Sequence, residues 1–401
     1  MHIAVFSDYT FHSLGGIQTS LRAQCYELLQ QGHQVTFVCP QPRTQTKGLN
    51  GLQLIGIPPV PFLLKGYEFV LPTNGATRRV VGQLQRLAPI DIVHCHTNMG
   101  VGIMAITVAR KLNVPVVQTF HGREDIIAEK NTTLPRLTAW FFSSLHGLFM
   151  RHTVTDPAQG SCMSRKAWSI MLTHAQKANH IIVPSRHFLA VFREHGYAGP
   201  ATVVPNGIED AVVYRLASTK SALPAKPSVV WVGRLWPEKQ PELFVQAAAS
   251  LPQYDFVMCG DGILRAKIEK TMPKNLSLYT DRDQMSVLQT MKAATLFVHT
   301  SQNFDTQSMV LLEAIAAELP VIMMDENLRE TVPAPGSVVV DGRAPALAAK
   351  IGELIADSNH LDIMRKHLRS LQPTILQSHR TREAITVYTR VIHEAKKHSR
   401  A

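Results

Sequence analysis

Along the 401-residue chain, short runs of apolar, β-branched residues alternate with longer stretches whose apolar positions recur at helical spacing. Uninterrupted runs of this kind are the pattern of strands buried on both faces, and the longer stretches that of helices packed along one side. In the first half the runs predict strands over residues 3–6, 35–38, 92–94, 114–119, 181–183 and 203–204, with helices between them such as 17–31, ending at Gly32, and 100–112. The second half repeats the scheme with strands over 229–232, 256–259, 276–279, 296–299, 321–324 and 338–340. After about residue 372 no further strand is expected, and 380–401 reads as one helix rich in Arg and Lys that packs back across the domains. This alternation is the signature of an α/β protein made of two doubly wound, Rossmann-like parallel sheets.

A chain of this length exceeds one ordinary core, so two domains are expected. Residues 210–227 are polar and broken by Pro224 and Pro227, which reads as a linker between an N-terminal domain, 1–209, and a C-terminal domain, 228–371, followed by the tail helix over 372–401. In open α/β sheets ligands bind beyond the carboxyl ends of the strands, so two such sheets are expected to face a central cleft.

Five scattered cysteines, with no C-x-x-C pair, fit neither a disulfide framework nor a zinc site and suggest a reducing cytoplasm. The start, Met1 to Asp8, reads as a strand rather than a leader, and the longest apolar stretch, 137–150, is interrupted by Ser143, Ser144 and His146 and is too short to span a bilayer. The formal charge of +11 is uneven: residues 1–206 hold 18 Lys and Arg against 9 Asp and Glu, the remainder 23 against 21. An anionic surface near the first half is therefore expected, lipid or nucleic acid, with plain solubility as the simpler reading. No recognition helix, zinc pattern or stacking motif supports specific nucleic-acid binding.

The candidate chemistry lies at strand ends. Asp305-Thr306-Gln307-Ser308-Met309 leads into an apolar helix carrying Glu313, and the first-turn amides of Gln307, Ser308 and Met309 are expected to face an anion such as a diphosphate; an ordinary capped helix is the plainer alternative. Gly15-Gly16 after the first strand permits close backbone approach to a phosphate or sugar, and His121 follows another strand. His94 and His96 share a strand face without a third ligand and are expected to be structural or to line the cleft. Gly233-Arg234 with Lys239 places two cations at a strand end, suited to a leaving diphosphate, and Gly260-Asp261-Gly262 closes the next strand with a turn that could face a nucleoside. The glycine pattern is not G-x-G-x-x-G and the second strand ends in Cys39-Pro40 rather than an acid, which argues against a dinucleotide and hydride transfer.

In order and spacing, the Gly15-Gly16 loop, His121, Pro205-Asn206-Gly207-Ile208, Gly233-Arg234 with Lys239, Gly260-Asp261-Gly262 and the Asp305/Glu313 pair resemble glycosyltransferase family 4, retaining enzymes of GT-B fold that use nucleotide sugars. The resemblance implies that Arg234 and Lys239 hold the diphosphate, amides around Ser308 and Met309 add donors, Glu313 accepts from the ribose, Asp305 binds the donor sugar and His121 contacts it near the reacting carbon. It implies a requirement for neither metal nor cofactor. The family usually carries Glu at the position of Asp305, a departure of one methylene.

Asp305-Thr306-Gln307 and Asp325-Glu326-Asn327-Leu328 resemble the members that glucosylate diacylglycerol. Residues 137–142, with Trp140-Phe141-Phe142, and 61–65 add aromatic and basic residues suited either to the core or to a membrane surface. The expectation is a cytoplasmic enzyme peripheral to the inner face of the membrane, moving glucose from UDP-glucose to a lipid such as diacylglycerol. The alternatives are a GDP-mannose-dependent enzyme acting on an inositol lipid or glycan, and an inactive protein that only binds a nucleotide sugar.

Overall fold

The computed structural model describes residues 1–11, 15–41, 50–60, 68–130, 135–152, 160–219 and 226–398. They form two compact units, Met1–Pro205 with the C-terminal segment from Gln377, and Asn206–Leu376.

The first unit is built on a parallel sheet of seven strands: β1 His2–Phe6, β2 Gln34–Pro40, β3 Leu52–Ile57, β4 Ile92–Cys95, β5 Val116–Thr119, β6 His180–Val183 and β7 Ala201–Val203, in the order β3-β2-β1-β4-β5-β6-β7. The second has six: β8 Ser228–Val232, β9 Asp255–Cys259, β10 Leu276–Tyr279, β11 Leu296–His299, β12 Val321–Met323 and β13 Ser337–Val339, in the order β10-β9-β8-β11-β12-β13. Every pairing in both is parallel. Strand order reverses between β1 and β4 and between β8 and β11. Loops leaving those strands flank the crevice where open sheets bind ligands.

The strands arise where β-branched and aromatic residues run without interruption, and helices cover both faces. One face of the second sheet packs Phe297, Val321 and Met323 against Leu311, Leu312 and Ile315 of the helix Met309–Ala316. The other packs Val229, Trp231 and Phe256 against Phe244, Leu347 and Ile351.

The structure departs from expectation in three places. Strand β3 was not anticipated: it is an edge strand with exposed positions and an internal glycine, so its apolar run is short. Residues 210–218, expected to belong to a linker, form the helix Asp210–Ser218, because Val213 and Leu216 lie on one face and bury in the second unit's core. The chain leaves the first unit at Pro205 and returns after Leu376, where Ile208 pairs with Leu376, so residues 206–209 belong to the second unit. The tail helix, Gln377–His398, packs on the helix Gly16–Gln30 of the first unit, burying Ala384, Val387, Tyr388 and Val391 among Leu21, Cys25 and Leu28.

Candidate active site

In the second unit the switch point carries the phosphate-type residues. Gly233 and Arg234 leave β8, and the neighbouring turn after β9 is laced to them: Gly233 N donates to Cys259 O at 3.1 Å and Leu235 N to Asp261 O at 3.0 Å. Gly260 has φ +153°, and a Cβ there would stand 1.8 Å from Gly233 O, so no larger residue allows the two loops to meet. Gly262 continues the same turn, its amide donating to Asp261 Oδ1 at 2.8 Å.

Arg234 pairs with the fully buried Glu238 at 3.0 Å while more than half of its side chain stays exposed. Glu238 thereby anchors the guanidinium, and the exposed part of the arginine is accessible to an anion. Lys239 ends the 3₁₀ turn Pro237–Lys239, and its ammonium donates to Asp305 Oδ1 at 2.6 Å and Oδ2 at 2.8 Å. His299 Nε2 lies 3.2 Å from Asp305 Oδ2 and 3.2 Å from Ser308 Oγ. Burial alone would raise the Asp305 pKa; the Lys239 charge and His299 override it and hold the carboxylate well below its usual range. The structure thus places Lys239 against the residue expected to bind the sugar.

The helix Met309–Ala316 begins at an N-cap Ser308 that makes no side-chain capping bond, and Leu311 N is the first to bond back, to Ser308 O at 3.1 Å. The amides of Met309 and Val310 therefore open the helix, where a negative group is favoured. Asp305 and Gln307 precede this helix, so Glu313 alone of the two carboxylates rides on it. Gln307 turns its Oε1 to Asn206, accepting from N at 2.6 Å and Nδ2 at 3.0 Å, and so pins the segment that enters the second unit. Glu313 is half-buried and accepts from Gln284 Nε2 at 3.2 Å; desolvation pushes it up to about 7.

The first unit carries His121, just beyond β5, and the Gly15–Gly16 turn, where Gly15, at φ +152°, caps the helix Gly16–Gln30. Residues 12–14 of that loop lie outside the described residues. His121 Nε2 lies 2.9 Å from His96 Nδ1, and His96 Nε2 lies 3.1 Å from His94 Nδ1, so His94 in β4 and His96 just beyond it form a chain behind His121. Burial drives His94 to about 3, His121 to about 4, and His96 well below its ordinary value, which keeps all three rings neutral near pH 7.

Sequence reasoning noted the charged run through Glu124 and Asp125 after His121 but missed Asp8. Buried Asp8, two residues past β1, accepts from Met99 N at 3.1 Å and Val101 N at 2.6 Å, capping the helix Gly100–Leu112. Glu124 accepts from Asn98 Nδ2 at 2.8 Å and is pushed up to about 7 by burial, with Asp8 and Asp125 adding to the effect. An acid two residues beyond β1 was the available signal for Asp8. Gln284 carried none, since it acts through Glu313, 29 residues on, and His299 none because its contacts to Asp305 and Ser308 depend on how the loop after β11 folds back.

A cradle of two glycine turns, two cations and an open helix N-terminus at the switch point suits a diphosphate. Residues 14–212 match the family described as Glycosyltransferase Family 4, and residues 226–357 that described as Glycosyl transferases group 1. The chain belongs to glycosyltransferase family 4. It is a hexosyltransferase of GT-B fold. Alpha-monoglucosyldiacylglycerol synthase of Acholeplasma laidlawii is 24% identical over 384 residues, covering 90% of this chain and 88% of that one. GDP-mannose-dependent alpha-mannosyltransferase of Mycobacterium tuberculosis is 24% identical over 336 residues, covering 81% and 79%. Among solved structures, sucrose-phosphate synthase of Thermosynechococcus elongatus superposes with a TM-score of 0.73 at 16% identity, covering 98% of this chain and 99% of that one.

Proposed function

We propose that this glycosyltransferase moves glucose from UDP-glucose to a lipid hydroxyl such as that of diacylglycerol, at an anionic membrane surface and without a cofactor. The observation that carries the lipid part is the inverted helix Pro135–Phe149. Of its described polar residues Ser143 and His146 are buried and Ser144 is exposed, while Trp140 is 58% and Leu148 79% exposed, with Phe141 and Phe149 also turned outward. A helix that shows four large apolar side chains to solvent while burying a serine and a histidine suits an apolar medium. Trp140 and Phe141 thus favour the surface reading over the core; the side chain of Phe142 and all of 61–67 lie outside the described residues. Among the described residues no helix is long and apolar enough to cross a membrane. The positive excess of the same half favours an anionic leaflet. The similarity to a synthase of monoglucosyldiacylglycerol supports the choice of acceptor.

In this reading Arg234, Lys239 and the amides of Ser308 and Met309 hold the diphosphate, Glu313 the ribose hydroxyls, and Asp305 and His121 the sugar. The bond from the sugar's anomeric carbon to the diphosphate breaks as the acceptor oxygen bonds to that carbon on the same face. The acceptor proton passes to a diphosphate oxygen, and the cations stabilise the charge that develops there. A second reading, transfer of mannose from GDP-mannose, is favoured by the similarity to a GDP-mannose-dependent mannosyltransferase.

The test is transfer of radiolabelled hexose from UDP-glucose, UDP-galactose or GDP-mannose into lipid, with diacylglycerol and phosphatidylinositol vesicles and Arg234→Ala as control. Glucose in the diacylglycerol fraction, lost in the control, is the expected result. Mannose in the inositol lipid selects the second reading, and no lipid product with any donor defeats the lipid acceptor.

A further inference from the structure

The chain of buried groups behind His121 does not end at His94. The tail helix Gln377–His398 brings Tyr388 Oη to 2.7 Å from His94 Nδ1, while His94 Nε2 lies 2.7 Å from Thr119 Oγ1 and Gln24 Nε2 donates to Tyr388 Oη at 3.5 Å. Tyr388 and His94 are fully buried and His96 nearly so.

These contacts assign the protons one after another. Burial pushes the Tyr388 phenol far above its ordinary value, so it stays an O–H. Gln24 offers it a donor, which leaves His94 Nδ1 as the acceptor its own proton faces. His94 then carries its hydrogen on Nε2 and donates it to Thr119. His96 Nε2 faces that hydrogen-free Nδ1 at 3.1 Å, where two bare lone pairs would repel, so His96 Nε2 also carries its hydrogen and adds a second, longer bond to Nδ1. His96 Nδ1 is left bare and accepts from His121 Nε2–H at 2.9 Å. The acceptor nitrogen of His121 is accordingly Nδ1.

We propose that Tyr388, His94 and His96 are positioning residues that hold His121 as its Nε2–H tautomer, so that the ring meets the transferred sugar as a hydrogen-bond acceptor. The sugar contact of His121 belongs to the reading above, on which this role rests; the tautomer stands on the hydrogen bonds alone. The neutrality that burial imposes on the three rings is consistent with it, since a charged member would donate from both nitrogens. The geometry also gives the tail helix a task in the chemistry of the unit it packs on: its phenol sets the direction of the whole chain. Without that O–H the chain can reverse, His94 donating from Nδ1 to His96, and His96 from Nδ1 to His121 Nε2, which moves the His121 proton to Nδ1.

The experiment is long-range proton–nitrogen NMR of the full chain labelled with ¹⁵N-histidine, with His94, His96 and His121 assigned by single substitutions, alongside transfer kinetics. Expected are three Nε2–H rings in the unaltered protein, and in Tyr388→Phe a shift of His94, His96 and His121 toward Nδ1–H. The hydroxyl is worth about one hydrogen bond, so kcat for transfer should fall about tenfold with the donor KM unchanged. His96→Gln, whose amide supplies one donor and one acceptor, should keep His121 as Nε2–H and retain more activity than His96→Leu. His121 found as Nδ1–H in the unaltered protein, or tautomers untouched by Tyr388→Phe, would overturn the proposal. If the tautomers behave as expected but His121→Ala transfers hexose undiminished, the sugar-contact reading fails and the tautomer assignment stands.

Discussion

At the scale of single residues, the second unit's site balances two opposite electrostatic conditions. Asp305 is a largely but not fully buried carboxylate whose charge is tolerated because Lys239 grips both oxygens. Removing one partner of such a pair strands the other, so Lys239→Met should lower stability by about 3 kcal/mol, whereas Lys239→Met with Asp305→Leu should recover most of it. Urea unfolding of the two variants checks this, and equal losses would deny the pairing its role. Among the described residues Glu313 has the amide of Gln284 as its hydrogen-bond partner, and it sits near 7, so at neutral pH it is partly protonated. As its folded value lies above the unfolded one, its own contribution to stability is full below about 4.5 and fades as pH rises through about 7. Ribose hydroxyls are better accepted by the carboxylate, so UDP affinity should weaken as pH falls from 8 to 6, and Glu313→Gln should flatten that dependence. Calorimetric titration at several pH values decides it. Of these groups the sequence showed the cations, both carboxylates and the glycine turns, because each is a chemically marked residue at a strand end or on the helix that follows it. It did not show that Lys239 and Asp305 meet, which depends on β8 lying beside β11.

At the scale of elements, the strands buried on both faces were legible because uninterrupted Val, Ile and Phe have few other uses. Edge strand β3 was not, since it is half exposed, and neither was the helix Asp210–Ser218, whose few apolar residues are diluted by polar ones. The His94–His96–His121 link could not be read either. It requires β4 and β5 to be neighbours, with Val93 opposite Val116, and its terminal Tyr388 is 294 residues from His94. The helix Pro135–Phe149 shows the opposite limit: its aromatic run was visible, but which way it faces needed the packing. With Trp140 and Leu148 outward, Trp140→Ser with Leu148→Ser removes apolar surface that is mostly turned to solvent rather than to the core. Each fully inserted side chain is worth about 1.5–3 kcal/mol, so the double variant should bind vesicles containing phosphatidylglycerol at least tenfold more weakly with an unchanged melting temperature. Vesicle sedimentation reads the first and a thermal melt the second; undiminished binding would remove this helix from the membrane surface.

At the scale of the whole molecule, the two units differ in how they hold protons. The first buries many neutral histidines, with His94, His121, His146 and His180 brought down to about 3 or 4 and His96 and His174 also well below the ordinary value. Each folded value lies below the unfolded 6.5, so this stability is complete above 6.5 and is lost as pH falls toward about 4, because the unfolded chain takes up protons that the folded one refuses. Glu124 and Asp8, raised by burial, oppose the trend but are outnumbered. In the second unit the shifted groups include carboxylates held low, Asp305 and Glu318 among them, and these lose their contribution only below about 4. Each net proton is worth about 1.4 kcal/mol per pH unit against a typical total stability of about 5–15 kcal/mol, so a few buried histidines suffice to melt the first unit within about two units below 6.5. Acidification should therefore unfold the chain in two steps, the first unit leading. Buried Trp168 reports on the first unit and buried Trp231 on the second, so proteins keeping only one of them, the other three tryptophans replaced by Phe, separate the steps by fluorescence. Coincident transitions would mean that the units unfold as one cooperative body, and a leading change at Trp231 would mean that the carboxylates, not the histidines, set the acid limit.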